Sequence, residues 1–430
     1  VMKRARLGEL FLALLILLPL LAAGLQHRPS AELPVLLPWL ARLTGVLALT
    51  LILLAGILSI RLPGMDRWFG GLTRLWAIHH GLGWAGFMLV MVHVWLVAGS
   101  GLVQSVQVSV NMLFPPLGHW PVWAGWGSFL ALLVFLAPSF KFFGEPRYPR
   151  WKRLHLVSAL ALLLAVVHAL SLAASIWPWL LLGTAAALAY GWRKLLSPRL
   201  ARRTYRVTEV KHLGPDMVEL GLRAEGRPMQ HAPGQFIYLT PRDPALAQGR
   251  GEEHPYTIAS APGAPLLRVG IKALGDGTRA LQNLSPDSLV QLEGPYGDFM
   301  GQGDASRAAL WIGGGIGIAP FVSAVRALHQ ARQGQPPTHL IYLVNNDSEA
   351  YYQQELQSLA QETEALQLNL HRRDSEGLLD EATLRALCPD FTEREIWICG
   401  PPGLTRHLKT LLHARGVPGS RIHSEAFNLL

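Results

Sequence analysis

Two regimes of apolar patterning divide this chain. Over the first 200 residues the apolar positions run together in stretches near the ~20 residues that a bilayer-spanning helix needs. Six such stretches stand out: Leu7–Leu25, Trp39–Ile60, Leu75–Ala98, Val122–Phe140, Leu154–Ala174 and Trp177–Trp192, the last being the shortest. Beyond Arg203 the runs shorten and alternate. Tyr205–Val210, Met217–Leu222, Gln235–Leu239, Leu267–Ile271 and Leu289–Leu292 are separated by Gly/Pro turns, which predicts a small antiparallel barrel. Residues 308–427 then alternate strand-like and helix-like runs (Ala308–Ile312, Phe321–Gln333, His339–Val344, Gln353–Gln361, Glu395–Ile398, Gly403–Ala414), the pattern of a doubly wound α/β domain. The expected architecture is a six-helix transmembrane bundle over 1–200, an antiparallel β-barrel over 201–302 and an α/β nucleotide-binding domain over 303–430.

Composition sharpens this division. Of 14 Trp, only Trp311 and Trp397 follow residue 192. The net charge of +9 splits into +14 for residues 1–203 and −5 for the remainder. The basic balance therefore belongs to membrane-flanking connections and argues against a nucleic-acid surface. Alternate connections are basic (Lys3–Arg6, Arg61–Arg74, Lys141–Arg153, Arg193–Arg203), whereas 99–120 has neither Lys nor Arg. That asymmetry places both termini and the whole second half on the cytosolic side. The basic start, apolar run and LAAG of residues 1–24 also fit a signal peptide, whose cleavage would leave the remaining topology unchanged. The cysteines are Cys388 and Cys399, too few for a four-cysteine iron–sulfur cluster.

Five histidines lie within the apolar stretches; beside His80, four of them form two pairs, His79 with His93 and His155 with His168. An imidazole at membrane depth is a functional candidate by default. Two helices, each with one histidine near either end, have the ligand set for two stacked haems with bis-imidazole iron. At ~100° per residue, His79 and His93 fall within about 40° of one face, ~21 Å apart along the axis. His80 falls about 140° away from His93. His155 and His168 have that same poorer spacing, so the haem reading calls for a π-bulge between them. The competing reading is an interfacial or core histidine bonded to a backbone carbonyl. It suits any one of the four better than two depth-matched pairs. His27 and His119 read as solvated loop residues.

Haem takes one electron and a nicotinamide gives two as hydride, so a flavin is expected between them. HPYT at 254–257 follows the strand GQFIYL and precedes IKALGDGT at 271–278. His254 and Lys272 offer charge to a pyrophosphate, Gly277 and Thr278 offer turn amides, and Tyr256, beside Pro255, can pack on a flavin whose edge Thr257 reaches. GGGIGIAP at 313–320 (Gly313, Gly314, Gly315, Gly317, Pro320) is a strand–turn–helix start at which backbone amides approach a phosphate. In CGPPG at 399–403, Cys399, Gly400 and Pro401 follow a strand end, placing Cys399 near a nicotinamide; the alternative is a buried small hydrophobe. Arg372 and Arg373 after QLNLH are candidates for a 2′-phosphate. The stretch after LIYLV offers only Asn345, Asn346 and Asp347, so weak discrimination between NADPH and NADH is expected.

Taken together, RLWAIHHGLG (74–83) with His93, WKRLH (151–155) with His168, HPYTIASAP, IKALGDGT, GPYG, GGGIGIAPF and CGPPG make the chain resemble the ferric reductase/NADPH oxidase superfamily over essentially its full length. The resemblance implies a transmembrane di-haem domain fused to a ferredoxin–NADP reductase-type module that carries FAD and NADPH or NADH. It implies that His79 and His155 hold the inner haem, and His93 and His168 the outer. Arg42 stands beside the outer haem, Phe427 covers the flavin, and catalysis involves Thr257, Cys399, Phe427 and Arg42. Where animal oxidases have a further histidine, this chain has Val97. The implied acceptor is O2, giving superoxide. The alternatives are a ferric or cupric chelate, or a periplasmic protein partner supplied with electrons. The implied location is the bacterial inner membrane, with membrane lipid as the surrounding partner.

Overall fold

The computed structural model describes residues 2–25, 31–62, 64–139, 151, 153–173, 175–246, 248–331 and 336–426. The chain divides into two compact units, one of residues 3–62 with 74–199, the other of 1–2, 63–73 and 200–430.

The first unit is helical: α1 (Met2–Leu25), α2 (Leu33–Leu58), α3 (Leu72–Leu102), α4 (Val106–Leu113), α5 (Trp120–Leu136), α6 (Ser158–Leu172) and α7 (Trp177–Gly191). Among the described residues, four helical stretches are long and apolar enough to cross a membrane: Leu7–Leu25, Leu33–Leu58, Leu72–Leu102 and His155–Leu172. Two of the six expected spans are shorter. α5 ends at Leu136, where Pro138 has no N–H to continue the helical ladder, and the chain tightens into a 3-10 turn at Ala137–Ser139. α7 starts with Pro178 in its first turn and passes into a π-helical turn at Trp192–Leu196. Outward-facing leucines such as Leu14, Leu18, Leu163 and Leu181 are more than half exposed, as lipid-facing side chains are. Glu9 pairs with Arg74, tying α1 to α3.

The expected π-bulge between His155 and His168 is absent. His155–Val157 is instead a 3-10 turn that leads into α6. A 3-10 turn advances ~120° per residue against ~100° in an α-helix. The overwinding turns His155 toward the face of His168, whereas an underwound π-turn would have carried it away. The sequence argument named the wrong local distortion.

In the second unit a six-stranded antiparallel sheet has the order β4-β3-β6-β1-β2-β5. Its strands are β1 (Arg202–Gly214), β2 (Met217–Ala224), β3 (Phe236–Pro241), β4 (His254–Thr257), β5 (Leu267–Lys272) and β6 (Leu289–Tyr296). Ile258, next after β4, bridges to Val269 of β5, so the two sheet edges meet and the sheet curls into a barrel. Val207, Val218, Leu220, Ile237, Val269 and Leu292 fill its interior. A five-stranded parallel sheet follows in the order β11-β10-β7-β8-β9, from β7 (Ala309–Gly314), β8 (Thr338–Val344), β9 (Leu366–Arg372), β10 (Glu395–Gly400) and β11 (Ile422–Ala426). A short helix, α8 (Asp276–Leu281), follows β5; α9 (Ala319–Ala331), α10 (Gln353–Gln361), α11 (Glu381–Leu387) and α12 (Pro402–Ala414) flank the parallel sheet.

Barrel and parallel sheet are joined by a charged clamp. Arg326 of α9 makes a forked contact with Glu355 of α10 at 2.6 and 2.8 Å and reaches Glu219 of β2 at 3.1 Å. Glu219 is fully buried and also accepts from Arg268 at 3.3 Å. The bidentate geometry and the second cation offset the desolvation of the Glu219 carboxylate.

Candidate electron-transfer sites

In the helical unit the histidines come together across helices. The rings of His79 and His155 have centroids 6.4 Å apart. A metal midway between two imidazoles, at a metal–nitrogen length of about 2 Å, requires a separation close to this. Nδ1 of His79 lies 2.7 Å from the Ala55 carbonyl, which leaves Nε2 for a metal. His80 is exposed. Phe135 meets the His155 ring edge-on at 5.2 Å and Trp151 lies at 4.9 Å.

The outer pair lines a cavity of about 390 Å³. Nδ1 of His93 bonds the Ala41 carbonyl and Nδ1 of His168 the Pro121 carbonyl, each at 2.7 Å. Those bonds hold each ring with Nδ1 protonated and Nε2 available as a ligand. The cavity walls are otherwise apolar, with Arg42 the one Lys or Arg among the lining residues. Val97 also lines it, and α4 contributes Met112 and Leu113. α4 is fastened there by Trp126 Nε1 donating to the Leu113 carbonyl at 2.7 Å and by Ser109 Oγ donating to the Ala98 carbonyl at 2.9 Å. The apolar loop 99–120 thus caps the cavity. Phe87, between His79 and His93 on α3, stacks on Phe129 of α5 with ring centroids 6.5 Å apart. Two imidazoles per level fit b haem: His79, His93 and His168 are ring-oriented by backbone carbonyls, while the buried Nδ1 of His155 has no partner among the described residues. Among the described residues no cluster of three or more His, Cys, Asp or Glu offers a competing metal site.

The flavin candidates lie on β4 and at the start of α8. Tyr256 and Thr257 are buried. The Tyr256 hydroxyl has no hydrogen-bond partner among the described residues, and burial raises its pKa far above the usual phenol value. A buried hydroxyl of that kind is ready to bond a ligand. His254 and Pro255 are half-buried, and His254 sits 3.4 Å from Glu252. A Cβ on Gly277 would meet Glu252 and His254 at 3.2 and 3.4 Å, so this turn lies against His254. Thr278 closes the turn, its Oγ1 accepting from Leu274 and Gly275 N–H at 2.9 Å each. Lys272 departs from expectation. Its ammonium lies 3.1 Å from Glu349 and 3.7 Å from Asp216. Two carboxylates within reach outcompete an open turn for a flexible cation, and Lys272 here links barrel and nucleotide domain.

The nicotinamide candidates gather at the carboxyl ends of β7 and β10, which pair in parallel with Gly313 opposite Cys399. Gly315 has φ +55°, a left-handed value that favours glycine. A Cβ on Gly317 would strike the Cys399 carbonyl and approach Gly400 Cα at 2.8 Å. Gly313, Gly314, Gly400 and Pro401 complete the crossing, and Pro320 starts α9. The Cys399 side chain is fully buried beside Trp311 and Phe321, and burial pushes its thiol pKa well up. The thiol is a neutral core group; only the backbone at Cys399–Gly400 reaches the strand end. Arg372 lies 2.7 Å from Asp347, bringing the loops after β8 and β9 together, and Arg373 is exposed. Phe427 lies outside the described residues.

Two residues escaped the sequence reading. Asp66, from the 64–73 segment of this same unit, is buried and accepts the Gly297 N–H at 2.8 Å. Glu425 of β11 stands opposite Cys399. Its carboxyl lies deep although the residue as a whole is half-buried; burial, then the nearby Asp66 charge, raises its pKa to about 7. A lone acid in a basic connection was the only available signal for Asp66.

Residues 44–166 match the ferric reductase like transmembrane component, 202–300 an FAD-binding domain and 311–410 an oxidoreductase NAD-binding domain. An NADPH oxidoreductase of Mycobacterium tuberculosis is 27% identical over 209 residues, 47% of this chain and 53% of the relative. NADPH oxidase 1 of Mus musculus is 28% identical over 202 residues, 44% of this chain and 33% of the relative. The chain thus spans about half the length of the first and a third of the second. Among solved structures, flavohemoglobin from Malassezia yamatoensis aligns with TM-score 0.50 at 19% identity, covering 91% of this chain and 96% of that one. In one polypeptide, and in this order, the chain joins a ferric reductase-like transmembrane component, an FAD-binding domain and a nicotinamide-binding domain: it has the build of the ferric reductase/NADPH oxidase superfamily.

Proposed function

We propose that the chain is a transmembrane NAD(P)H oxidoreductase, with a di-haem bundle over 1–200, an FAD barrel over 201–302 and a nucleotide domain over 303–430. The observation that carries this reading is the pairing of imidazoles at two depths of one helical unit, in a chain whose other unit is a flavin and nicotinamide module. FAD held there would supply the chemistry that splits the two electrons of a hydride into single ones, as haem iron requires. The protein's own part is positional. His79 with His155, and His93 with His168, supply Nε2 ligands. Tyr256 and Thr257 line the flavin side. The glycine crossing of β7 and β10 admits a pyrophosphate close to backbone N–H groups. The basic connections support a cytosolic side for the flavin and nicotinamide domains and an outward side for the cavity in a bacterial plasma membrane.

The favoured acceptor is O2, giving superoxide. The outer cavity is capped and apolar, which suits a small neutral molecule, and Arg42 attracts an anionic product. A ferric or cupric chelate is the second reading, and a periplasmic protein the third; the cavity lining contains no carboxylate to hold a metal ion. Purified protein given NADPH should reduce cytochrome c in a superoxide dismutase-sensitive manner. Reduction of ferric citrate at the same rate with and without oxygen, with no dismutase-sensitive component, would reject O2 as acceptor.

Nucleotide preference follows from Arg372 and Asp347. The carboxylate at 2.7 Å neutralises the guanidinium that would meet a 2′-phosphate. Wild type should therefore favour NADPH only modestly. Asp347→Ser should raise the NADPH-to-NADH ratio of kcat/KM about 10-fold, equivalent to ~1.4 kcal/mol, and Arg372→Ala should lower it. A ratio unmoved by both substitutions would place 2′-phosphate recognition elsewhere.

A further inference from the structure

The outer cavity has an internal regularity. α2 lines it with Arg42, Gly45, Val46, Ala48, Leu49 and Ile52; α5 lines it with Val122, Gly125, Trp126, Ser128, Phe129 and Leu132. Each residue of the second set stands at one constant offset from its counterpart in the first, and the same offset relates the two acceptor carbonyls, Ala41 and Pro121. α3 and α6 repeat in the same way: Val90, His93, Val94 and Val97 correspond to Ala165, His168, Ala169 and Leu172. Two helix pairs, α2–α3 and α5–α6, thus build the two halves of the outer site from one pattern.

Within that pattern one feature acts directly on the ligands. A Cβ on Gly45 would lie 2.9 Å from Nδ1 and 3.0 Å from Cε1 of His93; a Cβ on Gly125 would lie 2.8 and 2.9 Å from the same atoms of His168. Both imidazoles bring their Nδ1–Cε1 edge against helix backbone where only glycine leaves room. In each case the carbonyl that receives Nδ1–H belongs to the residue four earlier, which also closes the helical bond to that glycine. Seat and acceptor are one element of helix, so neither can shift without the other.

We propose that Gly45 and Gly125 are the positioning residues of the outer haem site. Each is a seat that admits the facing imidazole to the carbonyl of Ala41 or Pro121, fixing the Nδ1–H tautomer, the ring plane and the direction of Nε2. The bond to the carbonyl also raises the basicity of the ligand, which favours the ferric state and holds the outer potential down. The inner pair is built differently: His79 bonds the Ala55 carbonyl, and among the described residues no glycine lies against its ring. This inference rests on the bis-imidazole haem reading above.

The test is Gly45→Ala and Gly125→Ala in the full-length holoprotein, with Gly127→Ala as comparison. A Cβ on Gly127 meets only a methyl of Leu164 at 3.1 Å, so that variant perturbs packing on the same helix without touching a ligand. Both seat variants should shift the largest g-value of the outer low-spin haem, raise its midpoint potential and weaken its retention against apomyoglobin about 10-fold. Flavin content and the inner haem signal should stay as in wild type, and Gly127→Ala should change none of these. Wild-type g-values, potential and retention in both seat variants would overturn the proposal, as would an equal shift in Gly127→Ala. Wild type supplies a readout of its own should a variant not fold. Two rings locked to fixed carbonyls give a narrow outer-haem g-value, and a broad distribution of ring orientations would overturn the proposal. Wild-type protein without two bis-imidazole haems would instead reject the functional reading beneath it.

Discussion

On the proposed di-haem reading, replacing His93 by leucine should remove the outer haem and leave the flavin and the inner haem in place. Leucine matches the apolar wall around it and is a strong helix former, so α3 should keep its course. The Ala41 carbonyl keeps its place in the helical ladder of α2. What is lost is one of two imidazole nitrogens, and a haem held by the single remaining ligand His168 neither stays low-spin nor stays bound. Electron delivery beyond the membrane should fall to background, while NADPH-dependent reduction of a soluble dye at the flavin persists. His168→Leu should behave identically, and His80→Ala should retain both haems because that ring is exposed. The measurements are pyridine haemochrome content per flavin and the low-spin spectrum. Two haems per flavin in His93→Leu would remove His93 from the ligand set.

Much of this arrangement was legible because it is local. Alternation and turn residues marked five of the six barrel strands, all but the short β4, and the run Ala308–Ile312 followed by glycines marked β7 and the start of α9. Helix geometry alone prefers His79 to His80, and in the structure the His79 ring lies 6.4 Å from that of His155 while His80 is exposed. What escaped detection depends on contacts distant in sequence or on small changes of winding. The 3-10 turn at His155 alters a few residues by about 20° each, and apolar periodicity cannot register so small a change. The bond from Gly297 to Asp66 joins segments far apart in sequence, so neither residue announces the other. The repeat between α2–α3 and α5–α6 is one of spacing: among the paired lining positions only Gly45 with Gly125 and His93 with His168 share a residue type, which hides it from a scan for repeats. Lys272 misled for another reason. Its neighbours IKALGDGT suit a phosphate turn, but its long stem lets the ammonium choose Glu349 and Asp216.

The nucleotide side offers the second large effect, and it separates two reasons for glycine within one motif. At Gly315 the requirement is conformational: φ is +55°, and a Cβ there meets nothing within 4 Å. Alanine in the left-handed region costs roughly 1–2 kcal/mol, so Gly315→Ala should fold and lose only a modest part of its nicotinamide turnover. At Gly317 the requirement is space. A Cβ would collide with the carbonyl oxygen of Cys399 and stand 2.8 Å from Gly400 Cα. Those are backbone atoms of β10 held on both sides by parallel pairing to β7 and β11, so no side-chain rotation relieves the clash. Relief must come from parting the crossing of β7 and β10, where the pyrophosphate is expected. Overpacking of a rigid core costs about 1–3 kcal/mol or more, and at this position the strain falls on the ligand site itself. Gly317→Ala should therefore reduce NADPH-to-flavin turnover about 100-fold or more, equivalent to ~2.7 kcal/mol, with both haems present and reducible by dithionite. Stopped-flow flavin reduction by NADPH in the two variants measures the contrast. Equal losses in Gly315→Ala and Gly317→Ala would show that backbone conformation, rather than the close approach of the two strand ends, is what the motif protects.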